Sequence, residues 1–454
     1  MLIVILATCA SLCAQPAPPA GMSLAQAVDA ALRNYPSIQV SQEQINAAAT
    51  GIQLARTGYL PKLDALAQVN LATRNNVFGM MLPQSVIPSI SGPVLGTNNF
   101  GTTFGSALGM LVTWEPFDFG QRRESVNAAT SARMQSEAAL KRTRFEVSAA
   151  VADACITLIA AQETVRAAQA GVDRAEIVAR TVNAQVNAQL RPGGDASRAT
   201  AESAAARTLL MQAQQAVDVA RVNVSQFVGL PPVQIAVAAP KLLQPPPDRT
   251  ISPLDTNTNP VAVEQSALID HLKSQLKILE RSYFPRFYAQ ASTYARGTGA
   301  ETNGHLLGGL NGLAPTIQNS AVGFTVTFPV LDLPSIRAKE EGQAAAIRAE
   351  AARLKQIATD LTAHWNRAVA TANGARNVAM NTPIQVAAAR AATEQATARY
   401  QAGLGNINEV AEAQRLLTQS EIDDALARLG VWRGLLAVAT AAGDIQPFVM
   451  EASE

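Results

Sequence analysis

Glu409 and Glu412 are the residues of this chain whose type and spacing most suggest a working site. They come directly after the Gly403-Leu404-Gly405 turn, and a separation of three places both on one face of the helix that begins there. Paired carboxylates attract cations. The helix dipole alone also favours acids in a first turn, which is the plainer explanation. Other candidates for chemistry are sparse. His271 and His364 lie in helical patterns and His305 in a glycine-rich loop, too scattered for a metal site. The glycines of that loop (Gly297, Gly299, Gly304, Gly308, Gly309, Gly312) do not join a strand to a helix, and no Gly-Lys-Ser/Thr follows, so a phosphate cradle is excluded. No Gly-x-Ser-x-Gly elbow occurs either. The chain is expected not to be an enzyme, and to hold no cofactor and no metal.

The elements that must position the two acids are written twice. Pro36 precedes the Tyr59-Leu60-Pro61 turn by the same interval at which Pro260 precedes Tyr283-Phe284-Pro285. The stretch from Pro116 to Leu190 matches that from Pro329 to Leu404 to within one position. Leu190 to Gly229 and Leu404 to Gly443 are equal in length. A tandem duplication of roughly 220 residues therefore organises the fold. The copies differ most between Pro61 and Pro116 and between Pro285 and Pro329, where the second copy is shorter and a variable loop belongs.

Each copy carries two alternating segments. Leu63, Ala65, Ala67, Val69 and Leu71 share one face of 62–72, against Lys62, Asp64, Gln68 and Asn70. Leu108, Met110, Val112 and Trp114 share a face of 104–114. In the second copy Phe287, Ala289, Ala291 and Ala295 oppose Tyr288, Gln290, Ser292 and Arg296 within 286–296, and Val322, Phe324, Val326 and Phe328 share a face of 320–328. Strands of about 9–11 residues cross an outer membrane when tilted, although a half-buried hairpin in a soluble sheet shows the same alternation. The linkers Asn75 to Gly105 and Gly297 to Asn319 are long and rich in Gly, Asn, Ser and Pro. Four strands cannot close on themselves, and lipid does not tolerate an open edge, so membrane strands here require several chains to share one barrel.

From Phe119 to Leu190 and from Ile336 to Gly403 the pattern is helical, with Pro383 as the one interruption. Helices of ~65–70 residues reach roughly 100 Å and need lateral packing. Ile347, Leu354, Leu361, Ala368 and Ala375 recur at seven-residue intervals, interleaved with Ala344, Ala351, Ala358, Trp365, Ala372 and Ala379, as in a close-packed coiled coil. Each long helix is expected to stop at glycines (Gly193-Gly194 and Gly403), with return helices over 196–226 and 408–441.

Aromatic residues make up 5% of the chain, charged residues 16%, and the net charge is +1, which gives no electrostatic case for nucleic acid. Leu2 to Ala10 is an apolar run followed by small residues, the pattern of a secretory leader, although no Lys or Arg precedes Arg33. Cys9 and Cys13 raise lipid attachment as a lesser option. Cys155 is the one other cysteine, so there is no disulfide framework. No 18-residue apolar window is expected after the leader.

The paired prolines, the Phe227-Val228-Gly229-Leu230-Pro231 ending of the first copy and the Arg399-Tyr400-Gln401-Ala402-Gly403-Leu404 turn together resemble the outer membrane efflux protein family, the TolC-like channels, over residues 22 to 444. The resemblance implies a mixed α and β membrane protein: long antiparallel coiled-coil helices forming an α-barrel, and four strands per chain contributing to a shared trimeric β-barrel. It implies an exit duct of a tripartite efflux or type I secretion system in the bacterial outer membrane, with a large periplasmic portion. The implied partners are two further copies in a homotrimer, a periplasmic adaptor (membrane fusion) protein, an inner-membrane efflux pump or ABC transporter, and outer-membrane lipid. It also implies that Glu409 and Glu412 ring the pore at a constriction, that Asp195 and Tyr400 help hold it closed, and that Leu190, Gly403 and Leu404 meet the adaptor. Gly405 departs from the pattern, because the best-known member has an arginine there; Arg191 is the candidate substitute. The domains expected are a leader (1–21), a first repeat (22–230), a Pro-rich equatorial connector (231–260), a second repeat (261–444) and a C-terminal tail (445–454). The alternative from another class is a non-channel coiled-coil structural protein of the periplasm or cell surface.

Overall fold

The computed structural model describes residues 21–72, 101–247, 253–301 and 305–453. The leader with Cys9 and Cys13, and most of the linker after Asn75, lie outside them. Twelve named elements follow in order: α1 (Leu24–Asn34), α2 (Pro36–Thr57), β1 (Lys62–Ala72), β2 (Thr103–Phe117), α3 (Gln121–Asn187), α4 (Gly193–Val228), α5 (Pro260–Arg281), β3 (Arg286–Thr298), β4 (Ile317–Thr327), α6 (Leu333–Gln401), α7 (Ile407–Ala442) and α8 (Gln446–Ser453). Contacts group the residues into two compact units, and each unit draws on both copies of the duplication. One comprises Gln44–Glu137 and Ser266–Arg353; the other comprises Met1–Glu43, Ala138–Gln265 and Leu354–Glu454.

The first unit is built on an antiparallel sheet in the order β1-β2-β3-β4. Its register aligns the apolar faces that the sequence alternation marks out one strand at a time. Leu63 opposes Val112, Val112 opposes Ala291, and Ala291 opposes Val322, so one row of apolar side chains crosses all four strands. Residues directly opposite in an antiparallel pair project to the same side. Leu63, Leu108, Met110, Val322 and Phe324 on this face are exposed, while Leu111, Gln290 and Ser292 on the opposite face are buried. Gln290 is only 4% exposed and its Oε1 has no partner, so it is not the open polar position that its alternation implies. Below the sheet Phe117, Phe119, Phe284 and Phe287 form a ladder, with Phe119 stacked on Phe284 at 4.9 Å. Asp118 starts α3 by accepting from the backbone N–H groups of Gly120 and Arg122 at 3.1 and 2.7 Å.

The second unit holds the main core. Leu24, Val28, Ile156, Leu158, Val224, Leu242, Trp432 and Phe448 are buried together from α1, α3, α4, the connector, α7 and α8. Trp432 packs edge-on to Phe448 at 6.1 Å and donates from Nε1 to the Gln244 carbonyl at 2.9 Å. The residues expected to form a C-terminal tail are therefore helix α8, held by Phe448 and Val449. In the connector the chain makes two short 3-10 turns and one parallel bridge, Met22 to Val237. Each repeat closes on a left-handed glycine beside an asparagine: Gly229 (φ 77°) near Asn34 and Gly443 (φ 86°) against Asn259.

Helix α6 is the long helix expected and runs through Pro383, with Thr382 bonded to Asp424 at 2.8 Å across to α7, so tertiary packing outweighs the lost N–H. Two expectations need correction. Gly193 and Gly194 open α4 rather than ending α3. Among the described residues, α3 and α7 each contain an 18-residue window long and apolar enough to cross a membrane. Alanine content raises their hydropathy, and about half of each window is buried against the rest of the chain.

Candidate functional site at the helix turns

The two long helices end in the same local geometry. Leu190 donates its N–H to the Gln185 carbonyl, and Leu404 donates to that of Arg399, both at 2.9 Å. Each is a six-to-one closure with a left-handed residue before the leucine: Gly403 at φ 77° in the second turn and Gln189 at φ 59° in the first. Glycine adopts this conformation freely, whereas Gln189 carries the steric cost of a Cβ there. Leu190 and Leu404 are exposed at the tips, at 73% and 72%.

The turns are joined by polar contacts that the sequence only partly reveals. Tyr400, 3% exposed, donates its hydroxyl to Asp195 Oδ2 at 3.1 Å. It sits with Val182, Ala199, Ile407 and Val410 in a small apolar cluster of its own. The Arg191 guanidinium lies 4.4 Å from the centre of the Tyr400 ring and donates to the Tyr400 carbonyl. Burial, then the bond to Asp195, pushes the Tyr400 phenol above its ordinary pKa. Arg191 thus reaches Tyr400 from the neighbouring turn, while Gly405 faces Glu409: a Cβ at Gly405 would lie 3.1 Å from Glu409 Oε2.

Both glutamates have arginine neighbours. Asn406 caps α7 by accepting from the Glu409 N–H at 3.0 Å, and its amide donates to Glu409 Oε1 at 3.2 Å. Arg399 lies 3.8 Å from Glu409, and Arg415 lies 3.2 Å from Glu412 and 3.6 Å from Glu202. Glu409 is therefore a first-turn acid with a capping contact, while Glu412 projects into solvent with 80% of its side chain exposed. Sequence reasoning missed Arg399, Asn406 and Arg415. Their signal was the Asn at an N-cap position and an arginine three residues after an acid.

Above the turns a groove of about 240 Å³ is floored by Ala168, Gly171, Ala175 and Ala411, with Glu202 and Arg415 on its rim. Close helix approach makes it: a Cβ on Gly171 would come within 2.8 Å of Thr418 Oγ1. The histidines stay apart. His271 packs between the Ala128 carbonyl and Gln275, and no cluster of three metal-ligating residues occurs among the described residues. Cys155 is buried, which pushes its thiol up to about 12.

The sequence profile of the outer membrane efflux protein family matches residues 27–230 and 258–444. Comparison with curated proteins finds no match. Among solved structures the chain is similar to the outer-membrane channel OprN, at 20% identity and a TM-score of 0.71, over 92% of this chain and 89% of that one. It is similar to the outer membrane protein VceC of Vibrio cholerae at 18% identity and a TM-score of 0.70, over 93% and 96% of the two chains. It is also similar to the MtrE outer membrane channel of Neisseria gonorrhoeae, solved in an open state, at 17% identity and a TM-score of 0.67, over 94% and 89%. At these identities the likeness is one of fold.

Proposed function

This chain belongs to the outer membrane efflux protein family, and from that premise we propose that it is the outer-membrane exit duct of a tripartite efflux or type I secretion system. The observation that carries the reading is the sheet: one continuous apolar face is exposed, the opposite face is largely polar and buried only at its centre, and among the described residues no strand pairs with the outer edge of β1 or of β4. An exposed apolar surface spanning four strands is a liability in water and a fit for lipid. The bare edges need further strands, which a homotrimer supplies. A periplasmic coiled-coil structural protein would have no use for that face.

In this reading the duct does no chemistry. Cargo arrives from an inner-membrane pump or ABC transporter through a periplasmic adaptor that meets Leu190, Gly403 and Leu404 at the helix tips. Glu409 and Glu412 narrow and polarise the periplasmic end. The Tyr400–Asp195 bond, with Arg191 over the ring, latches neighbouring hairpins in the closed state. Separating the hairpins breaks that bond and the arginine stack together, which gives opening a barrier local to the tips.

Planar-bilayer recording tests the reading. Purified wild-type protein should form cation-selective channels that multivalent cations block from the periplasmic side, because several carboxylates can share one ion. Glu409→Ala with Glu412→Ala should weaken both block and selectivity, whereas Glu350→Ala should change neither. Unchanged block and selectivity in the double variant would reduce these acids to capping residues. Absence of conductance from correctly assembled protein would refute the duct.

A further inference from the structure

Building on the reading that several copies share one barrel, we infer that β4 of one copy pairs with β1 of the next in a register already present at the internal β2–β3 seam. The repeats supply the map. Leu190 and Leu404, Gly229 and Gly443, Asp118 and Asp332 and, inside the strands, Gly109 and Gly323 share a single offset, which relates β2 to β4; the Pro116–Pro329 pair is one position short, within the irregular stretch Trp114 to Phe117. Tyr59 and Tyr283, Pro61 and Pro285, and Pro36 and Pro260 share a second, slightly larger offset, which relates β1 to β3. Within the chain Val112 faces Ala291, Trp114 faces Ala289 and Phe117 faces Phe287. Shifted by these offsets, the pairs between copies are Val326 with Ala67, Phe328 with Ala65, and Leu331 with Leu63. Further along, Phe324 meets Val69 and Val322 meets Leu71. Every pair is apolar, and a slip of one residue would turn threonines of β4 onto that face.

Three features of the lone chain mark β4 as lacking this neighbour. Strand β2 runs to Phe117, whereas β4 stops at Thr327, leaving the stretch equivalent to the end of β2 unpaired. That stretch holds Phe328 and Leu331, the latter 94% exposed, and in this scheme they meet Ala65 and the likewise exposed Leu63. Gly109 is packed so closely that a Cβ would come within 2.4 Å of the Tyr294 Cβ, while its equivalent Gly323 has nothing within 4 Å. Polar chemistry carries over as well. Arg286 donates to Gln121 Oε1 at 2.8 Å across the internal seam, and the equivalent positions are Lys62 and Ser335, again a cation and a side-chain oxygen.

The two seams differ in one respect. Inside the chain four phenylalanines interlock, while the matching positions between copies are Leu60, Leu63, Leu331 and Leu333. Leucines cannot make the stacked and edge-on contacts of rings, so copies should separate before the repeats do.

Disulfide formation in the full chain tests the register. Val326→Cys with Ala67→Cys should yield covalent dimers and trimers on non-reducing gels after heating, and Val326→Cys with Leu63→Cys should not. Within one sheet the two edge strands lie roughly 14 Å apart, beyond the reach of a disulfide. Wild type that is trimeric by mass, with the first pair uncrosslinked, would overturn the register and leave the trimer standing. A monomeric wild type would overturn both. Replacing Leu60, Leu63, Leu331 and Leu333 together by Phe should raise the temperature at which copies dissociate in SDS, and an unchanged or lower temperature would count against this seam.

Discussion

The chain has two large apolar regions of similar composition and opposite fate. Around Trp432, residues of α1, α3, α4, α7 and α8 bury one another completely. Across the sheet, an equally apolar set from Leu63 to Phe324 stays exposed. The first region is finished by the chain itself and its stability belongs to any solvent. In the proposed reading the second is finished only by lipid on its face and by other copies at its edges. Helix tips fall between these extremes, since their polar groups are paired within the chain, some inside one hairpin and others, such as Tyr400–Asp195 and Arg415–Glu202, between the two hairpins. In the proposed reading, anchoring, scaffolding and gating would fall to these three differently satisfied regions.

The largest expected effect tests the finished core. Trp432→Ala removes a fully buried ring and orphans the Gln244 carbonyl, and should cost about 3–5 kcal/mol. Thermal unfolding should show this loss in detergent and in bilayers alike; a loss seen in only one would blur the distinction between the regions. The unfinished face should behave the other way. Val112→Arg or Phe324→Arg should impair membrane insertion by about 2–4 kcal/mol at mid-strand, read as loss of protein from the outer-membrane fraction. Gln68→Arg, on the opposite face of β1, should be better tolerated, and equal damage from both would mean that the strands do not span a membrane. Gln290 is a poor control because it is buried.

A smaller effect should be found at the tips. Tyr400→Phe removes one hydrogen bond and should destabilise the closed arrangement by about 0.5–1.5 kcal/mol, visible as more frequent openings in single-channel records. The Tyr400 pKa is raised above the ordinary 10.0. The stabilisation from its protonated form is therefore fully present below about pH 10 and is lost as pH rises through the higher folded value. Wild type and Tyr400→Phe should differ by a constant amount from pH 6 to 9 and converge only in strong alkali. A difference that titrates near neutrality would assign the latch to another group.

Much of this was readable in advance for physical reasons. Period-two alternation and the duplication locate the four strands, because successive side chains of a strand point to opposite faces of the sheet. The long helices follow from the near absence of proline and the seven-residue repeat. What was hidden depends on distance or on packing. Nothing local shows that α6 ignores Pro383, because the Thr382–Asp424 contact spans 42 residues. Nothing local shows that 446–453 is a core helix, since Phe448 needs Trp432 to be buried. At the tips, Tyr400 and Asp195 lie 205 residues apart, so their bond was expected only through the family resemblance. The Arg399 and Arg415 partners arise from the fold around each acid.

The central claim is that this sheet is one share of a membrane barrel. Its most direct test is the mass of the wild-type particle after extraction from the outer membrane. The account predicts that detergent is required and that the protein moiety weighs three mature chains, not one. A stable, fully helical monomer recovered in water without detergent would contradict it.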